Sequence, residues 1–134
     1  MAAATVLRPL VVCVDDNRDH GTTMSAIVKM CGFDALCAES GKEALRVVRQ
    51  HHPSVILLDV QLPDFDGYTV YKCLKADAGT ADIPVIFYTG TGDDGSRAKS
   101  LGATAFLTYP VEPRHLFVIL DAAVKRAALL RPKQ

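Results

Sequence analysis

The sequence carries no net charge, because its 15 lysines and arginines are balanced by 15 aspartates and glutamates. Such a chain has no bulk electrostatic attraction to nucleic acid or to an anionic membrane. No apolar run approaches the roughly 20 residues of a membrane-spanning helix, and residues 1–5 lack the charged start and long apolar core of a signal peptide. We therefore expect a cytoplasmic protein whose function depends on a local site.

The four cysteines have no C-x-x-C spacing, and no histidine pattern accompanies them, which excludes the common zinc-site patterns. All four lie in apolar periodic segments, so we expect them to be small buried core residues. They are Cys13, Cys31, Cys37 and Cys73.

Apolar residues make up 49% of the 134-residue chain and charged residues 22%, which is typical of one globular domain. We expect that domain to span residues 1–134, with a core over about residues 9–130. Short apolar runs predict five strands, at residues 10–14, 34–38, 55–59, 83–89 and 105–108. Helical patterns follow each strand. This alternation predicts a doubly wound (βα)5 flavodoxin-like three-layer sandwich with a parallel sheet in the order 2-1-3-4-5.

Residues that recur at helical spacing predict the inward faces of the second and third helices. The second helix opens at Ser40 with a capping-box pattern. Its predicted inward residues are Ala44, Val47, Val48 and His51, and those of the third helix are Gly67, Tyr71, Leu74 and Ala78. Residues 89–96 are rich in glycine and aspartate and predict a flexible turn.

Carboxylates follow two strands that this topology makes neighbours. Asp15 and Asp16 come after the first strand and Asp59 ends the third, so they converge at one edge of the sheet. Three charged carboxylates a few ångströms apart repel one another unless a cation joins them, and hard oxygen ligands suit Mg²⁺. The simpler interpretation is that Asp15 and Asp16 cap the first helix and that Asp59 forms a helix cap or a salt bridge.

A carboxylate beside Mg²⁺ is a competent nucleophile towards a phosphoryl group. Asp59 ends the central strand and is the natural acceptor, and Thr89 ends the neighbouring strand, where its hydroxyl can donate to phosphoryl oxygens. Taken alone, Thr89 is also an ordinary β-branched strand residue.

Four motifs in this order resemble a bacterial response-regulator receiver domain over about residues 9–130. They are the Asp15-Asp16 pair, D-V-Q-L-P-D-F-D-G at residues 59–67, I-P-V-I-F-Y-T-G at 83–90 and G-A-T-A-F-L-T-Y-P at 102–110. The resemblance implies that Asp59 accepts a phosphoryl group from a histidine kinase or a phosphotransfer protein. It also implies a phosphoacceptor switch rather than an enzyme.

The same resemblance implies the roles of the surrounding residues. Asp15 and Asp16 would hold Mg²⁺ together with Asp59 and the backbone carbonyl of Gln61. Thr89 would follow the phosphoryl group inward, and Phe106 would change rotamer with it. Output would pass to a downstream effector protein or domain through the fourth helix, fifth strand and last helix, a face that includes Phe106, Val111 and Phe117. These three residues are equally consistent with ordinary core or scattered surface positions. No effector domain fits within the chain, and homodimerisation is left open.

One position departs from the family pattern. Tyr109 stands before Pro110 where a receiver typically has lysine, so a neutral hydroxyl replaces an ammonium group and charge compensation falls more heavily on Mg²⁺. Gly90 stands where alanine is usual, which favours a looser loop. The resemblance further implies a cis Tyr109–Pro110 bond.

Tyr109 also motivates a second hypothesis, a phosphorylation-independent pseudo-receiver interaction module. A haloacid-dehalogenase-type phosphohydrolase is disfavoured because Asp59-Val60-Gln61 lacks the second carboxylate of a D-x-D motif. A flavin carrier is disfavoured because the loop after the first strand is acidic and would repel phosphate.

Overall fold

Five short strands form one parallel sheet, as expected from the alternating pattern. The computed structural model describes residues 8–90 and 93–130, so the tail at 131–134, residues 1–5 and part of the predicted turn at 89–96 lie outside the described residues. The strands are β1 (Leu10–Val14), β2 (Asp34–Ala38), β3 (Val55–Asp59), β4 (Val85–Thr89) and β5 (Ala105–Thr108). Their order is β2-β1-β3-β4-β5, which confirms the predicted topology.

Helices cover both faces of this sheet, as right-handed crossovers between parallel strands require. The helices are α1 (Arg18–Met30), α2 (Gly41–His51), α3 (Gly67–Ala76), α4 (Ser96–Leu101) and α5 (Pro113–Leu130). One core layer lies between the sheet and α2, α3 and α4, and the other lies between the sheet and α1 and α5. The fold is therefore the predicted three-layer sandwich. Among the described residues, no helix is both long and apolar enough to cross a membrane.

Side-chain caps fix where the helices begin, and thereby where the loops at the carboxyl edge of the sheet lie. The Asn17 side chain accepts hydrogen bonds from the backbone N–H groups of Asp19 and His20 and caps α1. Ser40 accepts from the N–H of Glu43 at the start of α2, and Asp66 accepts from the N–H of Thr69 at the start of α3. Because Asn17 caps α1, the capping interpretation of Asp15 and Asp16 is not needed.

Several local predictions were wrong. Strand β4 begins at Val85 rather than at residue 83, since Pro84 has no N–H for a sheet ladder. His51 is exposed at the last turn of α2, and Ala78 is exposed beyond the end of α3, so neither belongs to an inward stripe. Of the four cysteines only Cys13 is buried. Cys31 and Cys73 are partly buried, and Cys37 is exposed because β2 is an edge strand.

Candidate functional site

Three aspartates meet at the carboxyl edge of the sheet because β1 and β3 are paired neighbours. Val14 pairs with Leu58, so Asp15 and Asp59, the next residue on each chain segment, come to the same level. The N–H of Asp15 donates to the carbonyl of Ala38 on β2, which holds this residue in an extension of the sheet. The topology thus delivers both carboxylates to one place, as the sequence predicted.

The carboxylates of Asp15, Asp16 and Asp59 lie close enough to share one cation. One oxygen from each lies within 4.8 Å of the others. Asp15 and Asp59 are buried and Asp16 is exposed. Two unit charges at this separation repel by about 3–4 kcal/mol at an effective dielectric constant of about 20. The cluster is therefore a concentration of negative charge that favours a bound cation or a bound proton.

The electrostatics of Asp59 reflect this crowding. Burial raises the pKa of the Asp59 carboxyl from 3.8 to about 7, the N–H of Gln61 opposes that rise by donating to Oδ1 at 3.0 Å, and the charge of Asp15 adds to it. A carboxylate with such a raised pKa lacks a compensating positive charge in the protein. A cation bound beside Asp59 would therefore favour its ionised form.

Both carboxylate oxygens of Asp15 accept hydrogen bonds. The N–H of Asn17 donates to Oδ1 at 2.9 Å. Oδ2 lies 3.0 Å from the hydroxyl of Tyr109 and 3.1 Å from the hydroxyl of Tyr88. His20 completes the surroundings, with Nδ1 3.7 Å from Oδ2. Burial, together with the nearby carboxylate of Asp15, raises the pKa of Tyr109 above its usual range, so this phenol stays a neutral donor.

Thr89 lies at the end of β4 and Phe106 lies on β5, and only Thr89 lines the cavity that contains the aspartates. Asp59 pairs with Tyr88, so Thr89 lies one residue beyond the position on β4 that is level with Asp59. The Thr89 side chain is buried and still lines the same cavity as the aspartates. Phe106 is partly buried on β5 and packs against Gly95, which adopts a left-handed conformation at the start of α4. A contact thus runs from β5 to the start of α4.

An open cavity of about 290 Å³, here called the acidic cavity, lies above these residues. Its lining includes the backbone or side chains of Asp15, Asp16, Asp59, Gln61, Thr89 and Tyr109. No lysine or arginine is among the described residues that line it. Arg18 pairs instead with Glu39 at 2.8 Å, and the Arg97 guanidinium lies over the ring of Tyr68, 4.6 Å from its centroid.

Tyr109 occupies the position where the sequence pattern anticipates a lysine, and its peptide bond to Pro110 is cis, which confirms that prediction. A family model for the response regulator receiver domain matches residues 11–121. The chain belongs to the response regulator receiver domain family. This membership places the receiver domain in two-component signalling.

The receiver domain aligns with most of one relative and with about half of another. It is 35% identical over 112 residues to the polar-differentiation response regulator DivK of Brucella ovis, covering 81% of this chain and 91% of DivK. It is 33% identical over 118 residues to the phosphate regulon transcriptional regulatory protein PhoB of Pseudomonas aeruginosa. That match covers 87% of this chain but only 52% of PhoB, so the chain spans about half the length of that relative.

Solved structures share the fold. A response regulator receiver domain protein from Clostridium thermocellum superposes with a TM-score of 0.85 at 25% identity, covering 92% of this chain and 99% of that one. The receiver domain of the sensor histidine kinase PA1611 from Pseudomonas aeruginosa superposes with a TM-score of 0.80 at 24% identity, covering 88% and 98%. That structure contains a magnesium ion coordinated in the active-site cleft. The receiver architecture is therefore shared along nearly the whole chain.

Sequence reasoning missed Tyr88, His20 and Asn17 as parts of the receiver site. Tyr88 lies in a fully buried strand, and a buried phenol needs a hydrogen-bond partner, which is the signal that it points at a polar group. His20 lies in the first turn of α1, which begins three residues after Asp15, and its ring reaches the Asp15 carboxylate. Asn17 both caps α1 and donates its N–H to Asp15.

Proposed function

We propose that this receiver accepts a phosphoryl group on Asp59 from a histidine kinase or a phosphotransfer protein, in a Mg²⁺-dependent reaction. The observation that carries the proposal is the carboxylate cluster of Asp15, Asp16 and Asp59, with oxygens within 4.8 Å of one another at the carboxyl edge of the sheet. The pKa of Asp59, raised to about 7 by burial first of all, supports a site that requires a cation.

The donor set fits Mg²⁺, because it offers only oxygen atoms and lies in an open cavity with room for water. Asp15, Asp16, Asp59 and the backbone carbonyl of Gln61 would hold the ion. The PA1611 receiver, which has magnesium in its cleft, supports the same assignment here. When bound, Mg²⁺ neutralises charge on the carboxylates and on the incoming phosphoryl group.

Of the chain's own groups, the transfer uses Asp59 and Thr89, which both line the acidic cavity. A carboxylate oxygen of Asp59 attacks phosphorus, a new O–P bond forms, and the bond from phosphorus to the donor nitrogen or oxygen breaks. The leaving group departs with that electron pair and takes a proton from solvent. The Thr89 hydroxyl donates to a phosphoryl oxygen. The receiver is thus a phosphoacceptor switch, rather than an enzyme, that takes part in its own phosphorylation and dephosphorylation.

Output would pass through α4, β5 and α5 to a downstream effector protein or domain. Phe106 contacts Gly95 at the start of α4, so a rotamer change of Phe106 alters the packing there. Val111 is partly buried, whereas Phe117 is 43% exposed. Of these two apolar residues, Phe117 is therefore the one that a partner can reach more directly.

The test is phosphorylation by acetyl phosphate with Mg²⁺, followed by intact mass and by mapping of the modified residue. We expect one phosphoryl group on the wild type, none on Asp59→Asn, and none with a chelator. Asp64→Asn is the matched control, because Asp64 lies in the same loop but its carboxylate caps α2 by accepting from Gly41 and Lys42. An unmodified Asp59 under saturating donor, with Asp15 and Asp16 intact, overturns the proposal.

The second candidate is a phosphorylation-independent interaction module. One observation favours it: the Tyr109 hydroxyl is engaged with Asp15, and no lysine replaces it among the described lining residues. Effector binding measured with and without beryllofluoride separates the two functions. Equal affinity for the wild type and for Asp59→Ala in both conditions supports the interaction module, whereas a beryllofluoride-dependent gain limited to the wild type supports the switch.

A further inference from the structure

The side chain of Asp15 is fully buried, yet no lysine or arginine among the described residues pairs with it. A buried carboxylate costs several kcal/mol unless hydrogen bonds or a cation compensate it. Two phenols, Tyr88 and Tyr109, donate hydrogen bonds to Oδ2, and the Nδ1 atom of His20 lies further away, at 3.7 Å. The N–H of Asn17 takes one position on Oδ1. Each carboxylate oxygen has two lone pairs, so Oδ1 retains one acceptor position.

The two phenols are themselves held rigidly. Tyr88 is completely buried, and its hydroxyl shares one proton between the carbonyl of Val14 at 3.0 Å and Asp15 Oδ2 at 3.1 Å. The rings of Tyr88 and Tyr109 meet edge to face, with centroids 5.2 Å apart. The ring of His20 packs on the other side of Tyr109, with centroids 4.6 Å apart. Neither hydroxyl can move without displacing a packed ring.

We propose that Tyr88 and Tyr109 are positioning residues that fix the Asp15 carboxylate by its Oδ2 edge, so that Oδ1 is presented to a divalent cation or to its bound water. This inference rests on the proposed function, because it assumes the Mg²⁺ site. Groups that orient a metal-binding carboxylate through hydrogen bonds typically contribute 10–100-fold to metal affinity. In this receiver, two neutral phenols hold the carboxylate at Oδ2, in addition to the N–H of Asn17 at Oδ1 and the His20 ring, whose Nδ1 lies 3.7 Å from Oδ2.

The experiment is titration of the full chain with MgCl₂ by isothermal titration calorimetry. We expect Tyr109→Phe and Tyr88→Phe each to weaken Mg²⁺ binding about tenfold. Tyr71→Phe is the matched control: Tyr71 is also buried, but its hydroxyl donates to the carbonyl of Leu101 at 2.9 Å, away from the acidic cavity. That variant also loses a hydrogen bond from a tyrosine hydroxyl and should keep the wild-type affinity.

A double-mutant cycle identifies the residue through which the phenols act. If Tyr109 acts through Asp15, then Tyr109→Phe has no further effect on Mg²⁺ affinity in an Asp15→Asn background. Additive losses overturn the inference, as does wild-type affinity in both single tyrosine variants.

Failure of the proposed function has a different signature. A wild type that binds no Mg²⁺ overturns both proposals, whereas a wild type that binds Mg²⁺ with affinity insensitive to Tyr88 and Tyr109 overturns only this one. Circular dichroism confirms that each variant is folded. Tyr109→Phe keeps the test decisive even if Tyr88→Phe, at a completely buried position, fails to fold.

Discussion

Replacing Asp59 by asparagine should stabilise the metal-free protein, and should do so more at pH 8 than at pH 5. Burial is the main reason that the pKa of Asp59 rises from 3.8 to about 7. One pKa unit corresponds to about 1.4 kcal/mol, so ionising Asp59 costs the folded state up to about 4 kcal/mol. The substituted amide oxygen can still accept from the N–H of Gln61, so the variant removes the charge while retaining the shape.

The sign follows from the direction of the shift. Because the folded pKa is raised, the folded state binds the Asp59 proton more tightly than the unfolded chain does. The stability that this proton contributes is complete below the unfolded pKa of 3.8 and is lost as the pH rises through about 7. The Asp59→Asn variant should therefore gain about 1–2 kcal/mol over the wild type at pH 5 and up to about 4 kcal/mol at pH 8.

Urea unfolding monitored by circular dichroism, in the presence of a chelator, measures these free energies. Saturating Mg²⁺ should reduce the stability difference between Asp59→Asn and the wild type at pH 8, because the ion stabilises the wild type more. A ligand at 100 times its Kd stabilises the folded state by about 2.7 kcal/mol. Equal stability of the two proteins at both pH values would refute the electrostatic argument.

A control with the opposite sign is available in the same loop. Burial alone would raise the pKa of Asp64, but hydrogen bonds from the N–H groups of Lys42, Gly41 and Phe65 hold it below its usual value. Asp64 therefore contributes stability above the unfolded pKa that is lost as the pH falls through the lowered folded pKa. Asp64→Asn should reduce stability at pH 8, whereas Asp59→Asn should increase it.

Three further predictions concern the site and its supports. Tyr109→Lys should weaken Mg²⁺ binding several-fold in calorimetry, because an ammonium group beside the carboxylates competes with the ion. Gly95→Ala should lower the free energy of unfolding by about 1–3 kcal/mol, since Gly95 has a φ of +79° and an added Cβ would meet the Phe106 ring at 2.8 Å. Gly79→Ala is the control and should lower the free energy of unfolding less, because its Cβ would be 3.4 Å from its nearest neighbour. Lys75→Met should cost about 1–3 kcal/mol in urea unfolding, because its Nζ donates to two loop carbonyls at 2.8 and 3.0 Å.

The fold and the acidic triad could be predicted because both depend on backbone topology. Short apolar runs specify buried parallel strands, and the strand order then brings the residues after β1 and β3 together. Asp15, Asp16 and Asp59 were therefore found without any knowledge of side-chain conformation. The start of β4 was predicted two residues early because the apolar run at 83–89 continues through Pro84, which cannot donate to the ladder.

The partners of Asp15 could not be predicted in the same way. Tyr88 reads as one more apolar residue of a buried strand, and only the rotamer of its ring brings the hydroxyl to Asp15 Oδ2. Cys37 lies in an apolar run yet is exposed, because strand order alone does not say which side chains of an edge strand remain uncovered. Periodicity specifies elements and faces, whereas hydrogen bonds between distant side chains depend on packing.

Tyr109 changes the charge balance of the receiver site while the arrangement of the carboxylates is retained. Phosphorylation of Asp59 would exchange one negative charge for a group that carries about two, in a cavity whose described lining contains no lysine or arginine. Thr89 can offer only a neutral hydrogen bond, which is about half as strong as a charge-assisted one, and the Tyr109 hydroxyl already donates to Asp15. In the proposed function, Mg²⁺ therefore supplies most of the compensation for the phosphoryl group. The phenols contribute indirectly, by holding the carboxylate of Asp15 in place for the ion.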